Sequence, residues 1–337
     1  MSGTKKVGKQ TVKFTHQPKI ISTASIVGPK EGEGPLGRYF DKVLTDNIYG
    51  EKSWEKAESK IFKETIELAI QKAGLTEDKI DFLLCGDLLN QTIASNFAVR
   101  DFPIPFLGLY GACSTMVEAM VLAAMLVDGG FADYVVAGAS SHHDTAERQY
   151  RYPTEQGVQR PLTAQWTVTG AGVVTIATEG TGPNITYATI GQVIDLGQKD
   201  ADNMGSAMAP AATDTIFQHF KDTNHSPDDY DLIITGDLGK LGKKLTQEML
   251  KQKGLDLTGK LEDCGVLIYS DKQDVHSGGS GCGCAATVFS GYLYNQLTNK
   301  KYKRIMLVAT GALLSPTSSQ QGESIPSIAH AIVVENN

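Results

Sequence analysis

Asp81-Phe82-Leu83-Leu84-Cys85-Gly86-Asp87-Leu88 returns in the second half of the chain as Asp231-Leu232-Ile233-Ile234-Thr235-Gly236-Asp237-Leu238. Each copy is a short apolar run ending in Gly-Asp-Leu, the pattern of a buried parallel strand with its functional edge at the C-terminal end. Upstream of the first copy, Ile61, Thr65, Ile66, Ala69 and Ile70 recur at helical spacing before Gly74; upstream of the second, Thr213 to Phe220 does the same with Ile216, Phe217 and Phe220. Downstream, Cys113 with its helix and the strand Tyr134 to Gly138 is answered by Gly281-Cys282-Gly283-Cys284, a helix and the strand Ile305 to Ala309. The half-starting strands Ile20 to Ala24 and Ile185 to Thr189 also pair, as do the half-ending strands Gly172 to Ala177 and His330 to Val334. Several matched elements in one order imply an α/β chain written twice: an N-terminal extension over 1–17, one half over 18–180 and a second over 181–337, joined near Gly180-Thr181-Gly182-Pro183. Ligands of such sheets collect beyond the C-terminal strand ends, which points to Asp87, Cys113, Ser140 to Asp144, Asp237 and His276 to Cys284.

The 337 residues are enough for a large core, and 41% hydrophobic with 20% charged residues is a globular composition. A formal net charge of -7 argues against a nucleic-acid partner, which needs a basic surface. No window approaches the roughly 18 consecutive apolar residues of a membrane span. The lysine-bearing N-terminus lacks the apolar stretch of a signal peptide, so a cytoplasmic chain is expected. The five cysteines, an odd number spread widely, fit a reducing compartment rather than a disulfide framework; Cys282 and Cys284 lack a second pair at zinc spacing, and no metal site is expected.

Three segments carry candidate chemistry. Tyr110-Gly111-Ala112-Cys113-Ser114-Thr115-Met116 places a thiol at the mouth of a small-residue helix, where the peptide dipoles favour thiolate; the alternative is a buried packing cysteine. Ser140 to Arg160 offers Ser141, His142, His143, Arg148, Arg151 and Arg160 among Tyr150 and Tyr152. Such a stretch supplies cationic forks for carboxylates, flat faces for a ring and histidines that titrate near neutrality; the alternative is a solvated loop or an interface. The glycine-rich run from His276 through Ser280 to Gly283 presents either a ligand contact or a loop bonded to itself, and Asp87 and Asp237 are either site residues or caps.

Gly111-Ala112-Cys113-Ser114 together with the duplication resembles the thiolase superfamily, over about residues 18 to 335. The resemblance implies a thiolase-like fold of two duplicated α/β halves with mixed, mostly parallel sheets around buried helices. It also implies a homodimer, with Phe82 to Cys85 and Phe102 to Phe106 as candidate contacts. His276-Ser277-Gly278-Gly279-Ser280-Gly281-Cys282-Gly283-Cys284, with Ala139-Ser140-Ser141-His142-His143-Asp144, further resembles a family of sporulation proteins on that fold. This second resemblance implies a binder of dipicolinic acid (pyridine-2,6-dicarboxylate). Such a protein works with integral membrane proteins of the same operon at the inner forespore membrane, in uptake of the ligand and in its release on germination. No cofactor is implied; calcium enters only as the ligand's chelated ion. Condensing enzymes of the superfamily pair the cysteine with second-half His, Asn or Cys groups. Here the slot after Leu232 to Thr235 holds Asp237, leaving at best Cys113 and His276. An aspartate donates to an oxyanion only if its pKa is strongly raised. The expected protein is therefore a non-catalytic binder, against the alternatives of an acyltransferase using Cys113 and a scaffold for membrane partners.

Overall fold

The computed structural model describes residues 4–150 and 160–336. In the first half, β1 (Lys19–Val27) leads to α1 (Trp54–Lys72), β2 (Phe82–Gly86), α2 (Ile93–Val99), β3 (Phe106–Gly108), α3 (Thr115–Asp128), β4 (Tyr134–Ser141), α4 (His143–Tyr150) and β5 (Gly170–Ala177). The second half runs β6 (Asn184–Thr189), α5 (Met204–Thr223), β7 (Leu232–Thr235), α6 (Gly239–Gln252), β8 (Leu261–Asp263), α7 (Cys282–Thr287), β9 (Arg304–Ala312) and β10 (Ser327–Glu335).

The strands follow the path β8-β7-β9-β10-β6-β1-β5-β4-β2-β3. Outward from the centre, each half repeats one order. The pairs β2–β3 and β2–β4 are parallel, as are β7–β8 and β7–β9; β4–β5 and β1–β5 are antiparallel, as are β9–β10 and β10–β6. The halves meet where Lys19 pairs with Asn184. The expected duplicated α/β fold is thus present, with mixed sheets.

The repeated motif has a repeated physical job. Asp81 Oδ2 accepts from the backbone of Asp133 and Tyr134, at 2.8 and 3.0 Å, tying the start of β2 to that of β4. Asp231 Oδ2 accepts likewise from Lys303 and Arg304, at 2.6 and 3.0 Å, tying β7 to β9. Charge-assisted bonds at these positions set register in both halves.

Ser53 caps α1, which buries one stripe of Ala57, Ile61, Phe62, Ile66, Ala69 and Ile70 against β1, β5 and β4. Helix α3 is different. Met116, Val117, Ala119, Met120, Ala123 and Ala124 bury it nearly all round, and it touches β2, β4 and β5 on one side and β9 and β10 on the other. A helix apolar nearly all round is one buried on every side. Beside it α7 lies on β5, so close that a Cβ on Gly172 would stand 2.1 Å from the Ala286 carbonyl. Two sequence expectations change. Phe82 to Cys85 lies inside the sheet between β3 and β4, and the free edge belongs to β3. Helix α5 begins at Met204 and runs through Pro210, rather than beginning at Thr213.

Candidate functional site

The C-terminal ends of the strands gather around Cys113. Ala112 turns the chain with φ of 50°, a left-handed conformation that aims the thiol inward at the start of α3. Over the thiol lies a narrow cavity of about 50 Å³, walled by Leu88, Ala146, Met204, Ala312 and Leu314. Its polar lining is Tyr110, Glu147, Tyr150, Thr167 and Ser280; no described lysine or arginine lines it. That space holds a few waters, so a ring-sized ligand enters only if a wall side chain moves. Tyr110 and Tyr150 stand in that wall. Their hydroxyls stand 3.0 Å apart, and Tyr150 also donates to the Leu88 carbonyl.

Asp237 decides the electrostatics. It stands at the end of β7, fully buried, with Oδ1 accepting from Thr310 Oγ1 at 2.8 Å and Oδ2 accepting from Gly281 N at 3.0 Å and Ser280 Oγ at 3.2 Å. The Cys113 thiol lies close to the same carboxyl. Burial pushes Asp237 up to about 7, held back by these hydrogen bonds. Burial, and then the Asp237 charge and Cys282, push the Cys113 thiol well above its ordinary value. The helix start expected to favour thiolate is overridden, because desolvation and a neighbouring carboxylate outweigh the end of one helix dipole. Raised this far, Asp237 is partly protonated near neutrality, and Ser280 Oγ, Gly281 N and Thr310 Oγ1 are all engaged with it.

Of the residues singled out from the sequence, Cys113, Tyr150, Asp237 and Ser280 come together here. Asp87 is a structural anchor: its carboxylate accepts from Leu89 N, Ser95 N and Ser95 Oγ at 2.8, 2.8 and 2.6 Å. Ser141 Oγ donates to the Val168 carbonyl and accepts from Gly283 N. His142 is buried, with Nε2 2.8 Å from the Asn47 carbonyl, and burial lowers its pKa. His143 stacks on Trp166. Arg148 pairs with Glu55 and lies over Trp54, away from the cavity. His276 is held by the Pro161 carbonyl at 2.7 Å and Asp274 at 3.1 Å, and does not line the cavity. Arg151 lies outside the described residues.

Sequence reading missed Tyr110, Thr310 and Glu58. Glu58 sits on the apolar stripe of α1, where a carboxylate is out of place, and that was its signal. It accepts from Ser140 Oγ and Thr145 Oγ1, and burial followed by the Asp87 charge raises it to about 8. All five cysteines are free. Among the described residues no cluster of His, Cys, Asp and Glu is placed to hold a metal, and no helix is long and apolar enough to cross a membrane.

Residues 8–335 match the family model described as Stage V sporulation protein AD. The chain is 51% identical over 331 residues to Stage V sporulation protein AD of Bacillus subtilis (strain 168), covering 98% of each. Among solved structures it is similar to 3-oxoacyl-acyl-carrier-protein synthase III from Aquifex aeolicus VF5, with a TM-score of 0.58, 13% identity, and 94% and 99% of the two chains covered. It is similar also to human mitochondrial 3-ketoacyl-CoA thiolase, with a TM-score of 0.58, 10% identity, and 96% and 99% covered. A form of OleA from Xanthomonas campestris has a TM-score of 0.60 and 15% identity over 96% and 99% of the chains. At such identities these neighbours share the fold, and their chemistry does not transfer with it.

Proposed function

The chain belongs to the Stage V sporulation protein AD family, and from that premise we propose that it is a non-catalytic thiolase-fold protein that binds dipicolinic acid over Cys113. In this reading it supports uptake of the acid into the forespore, and its release on germination, beside integral membrane partners. The observation that carries the non-catalytic half is the buried Asp237 carboxyl beside Cys113, whose charge, with burial, keeps the thiol well above its ordinary pKa. A thiol kept protonated there is a poor nucleophile.

The electrostatics also select the form of the ligand. A bare dianion over Cys113 lies close to the buried Asp237 carboxyl, with no described cation in the lining, and meets repulsion in a low-dielectric space where that carboxyl is ionised. The neutral calcium chelate, or a protonated acid, does not. Calcium then arrives as part of the cargo.

Isothermal titration calorimetry with dipicolinic acid, with and without calcium, tests the reading. Saturable heat, stronger with calcium or at lower pH, is the expected result. Heat matching buffer at millimolar ligand in both arms rejects it, and acyl-CoA labelling of Cys113 seen by intact mass supports an acyltransferase instead. A homodimer formed through the β3 edge, where Leu107 is 49% exposed, belongs to the same proposal and is read by light scattering.

A further inference from the structure

We propose that Lys30, Arg160 and the indole of Trp166 form a second binding site, which takes the oxyanion of a small carboxylate- or phosphate-bearing molecule. Lys30 Nζ stands 4.0 Å above the Trp166 ring centroid and the Arg160 guanidinium 4.9 Å from it. His143 covers the opposite face, its ring 3.6 Å away and inclined by 1°. The indole is therefore a fixed floor, and with His143 stacked at 3.6 Å the Lys30 ammonium takes the other face, close enough to Arg160 to feel its charge.

Two like charges on one ring repel, and the structure supplies little between them. Among the described residues Lys30 Nζ has no hydrogen bond and no ion pair. Arg160 Nη2 donates to the Asp274 carbonyl at 2.6 Å and stands 3.5 Å from its carboxylate, but Nη1 is buried with no partner. Burial, and then Arg160, hold Lys30 below its ordinary pKa; Glu31, Asp274 and Glu33 act in the opposite direction without touching the ammonium. Glu31 is engaged elsewhere, accepting from Tyr269 and from Thr169 N. An oxyanion held between Lys30 Nζ and Arg160 Nη1 completes the unpartnered donor and removes the repulsion, while the ring beneath favours both cations.

This site is separate from the Cys113 cavity and does not rest on the reading given above. The ribbon that pairs Trp166–Thr167 with Gly279–Ser280 divides the two. Thr167 and Ser280 line the cavity, and Trp166, the neighbouring residue, faces the other way as strand alternation requires.

The test uses the only two tryptophans, Trp54 and Trp166. In a Trp54→Phe chain at constant ionic strength, Trp166 emission is followed while inorganic phosphate, and in a separate arm dipicolinate, is added. The expected result is a saturable change with at least one probe; which probe responds identifies the source of the oxyanion. Lys30→Gln and Arg160→Gln should each weaken binding about tenfold or more, the cost of one charge-assisted hydrogen bond. Lys30→Arg should retain it. No saturable response to either probe, or Gln variants that titrate like the parent, overturns the proposal. A phosphate response in a chain that gives no heat with dipicolinic acid keeps this site and rejects the cavity reading.

Discussion

Replacing Asp237 with asparagine should convert Cys113 from a locked thiol into a reactive one. At contact distance two unit charges in an effective dielectric of ~20 repel by about 4 kcal/mol. At 1.36 kcal/mol per unit this is roughly three pKa units. Because Asp237 itself titrates at about 7, most of its charge acts at pH 8. The thiol pKa in Asp237→Asn should then fall by roughly one to three units. Alkylation follows the thiolate fraction, so the rate should rise by roughly ten- to a thousandfold. The carboxamide keeps an oxygen for Gly281 N–H, so the fold should persist. The assay is iodoacetamide labelling at pH 8, with Cys113 read by peptide mass and folding by circular dichroism. A folded variant whose Cys113 labels within about twofold of the parent refutes the reasoning, as does a parent already labelling as fast as a free cysteine.

Glu58, raised to about 8 against its ordinary 4.5, binds a proton in the fold that the unfolded chain has released. Its contribution is intact below about pH 4.5 and is lost as pH rises through about 8, so urea stability should fall over that window and Glu58→Gln should flatten the fall. Asp231→Ala removes the acceptor shared by Lys303 and Arg304 N–H and should cost about 1–2 kcal/mol, seen as a lower urea midpoint at unchanged slope. Gly172→Ala drives a Cβ to 2.1 Å from the Ala286 carbonyl, backbone against backbone, and should cost about 2 kcal/mol or more in thermal unfolding. An unchanged Tm there would mean that α7 can lift off β5.

The duplicated architecture was legible because it is written in local periodicity. The runs at Phe82–Gly86 and Leu232–Thr235 alternate with helical stripes, and the preceding aspartates repeat because the strand starts they tie together repeat. Local signals also misled. The periodic stretch from Thr213 to Phe220 is only the second part of α5, which starts at Met204 and runs through Pro210. The histidines and arginines after β4 looked like one recognition loop. The structure divides those it describes: His142 bonds to Asn47 and Arg148 turns to Glu55, while His143 and Arg160 meet on Trp166.

What the sequence by itself determined is the scaffold and the place on it where a thiol meets a strand end, since both follow from spacing along the chain. The charge state of that thiol was decided only by tertiary structure, which brings Asp237 and the donors of Ser280, Gly281 and Thr310 to Cys113 from distant segments. Lys30 and Arg160 likewise become a pair only when folding lays both over Trp166. Periodicity records which face of an element is buried, whereas Coulomb energy and desolvation depend on distances between residues far apart in the chain.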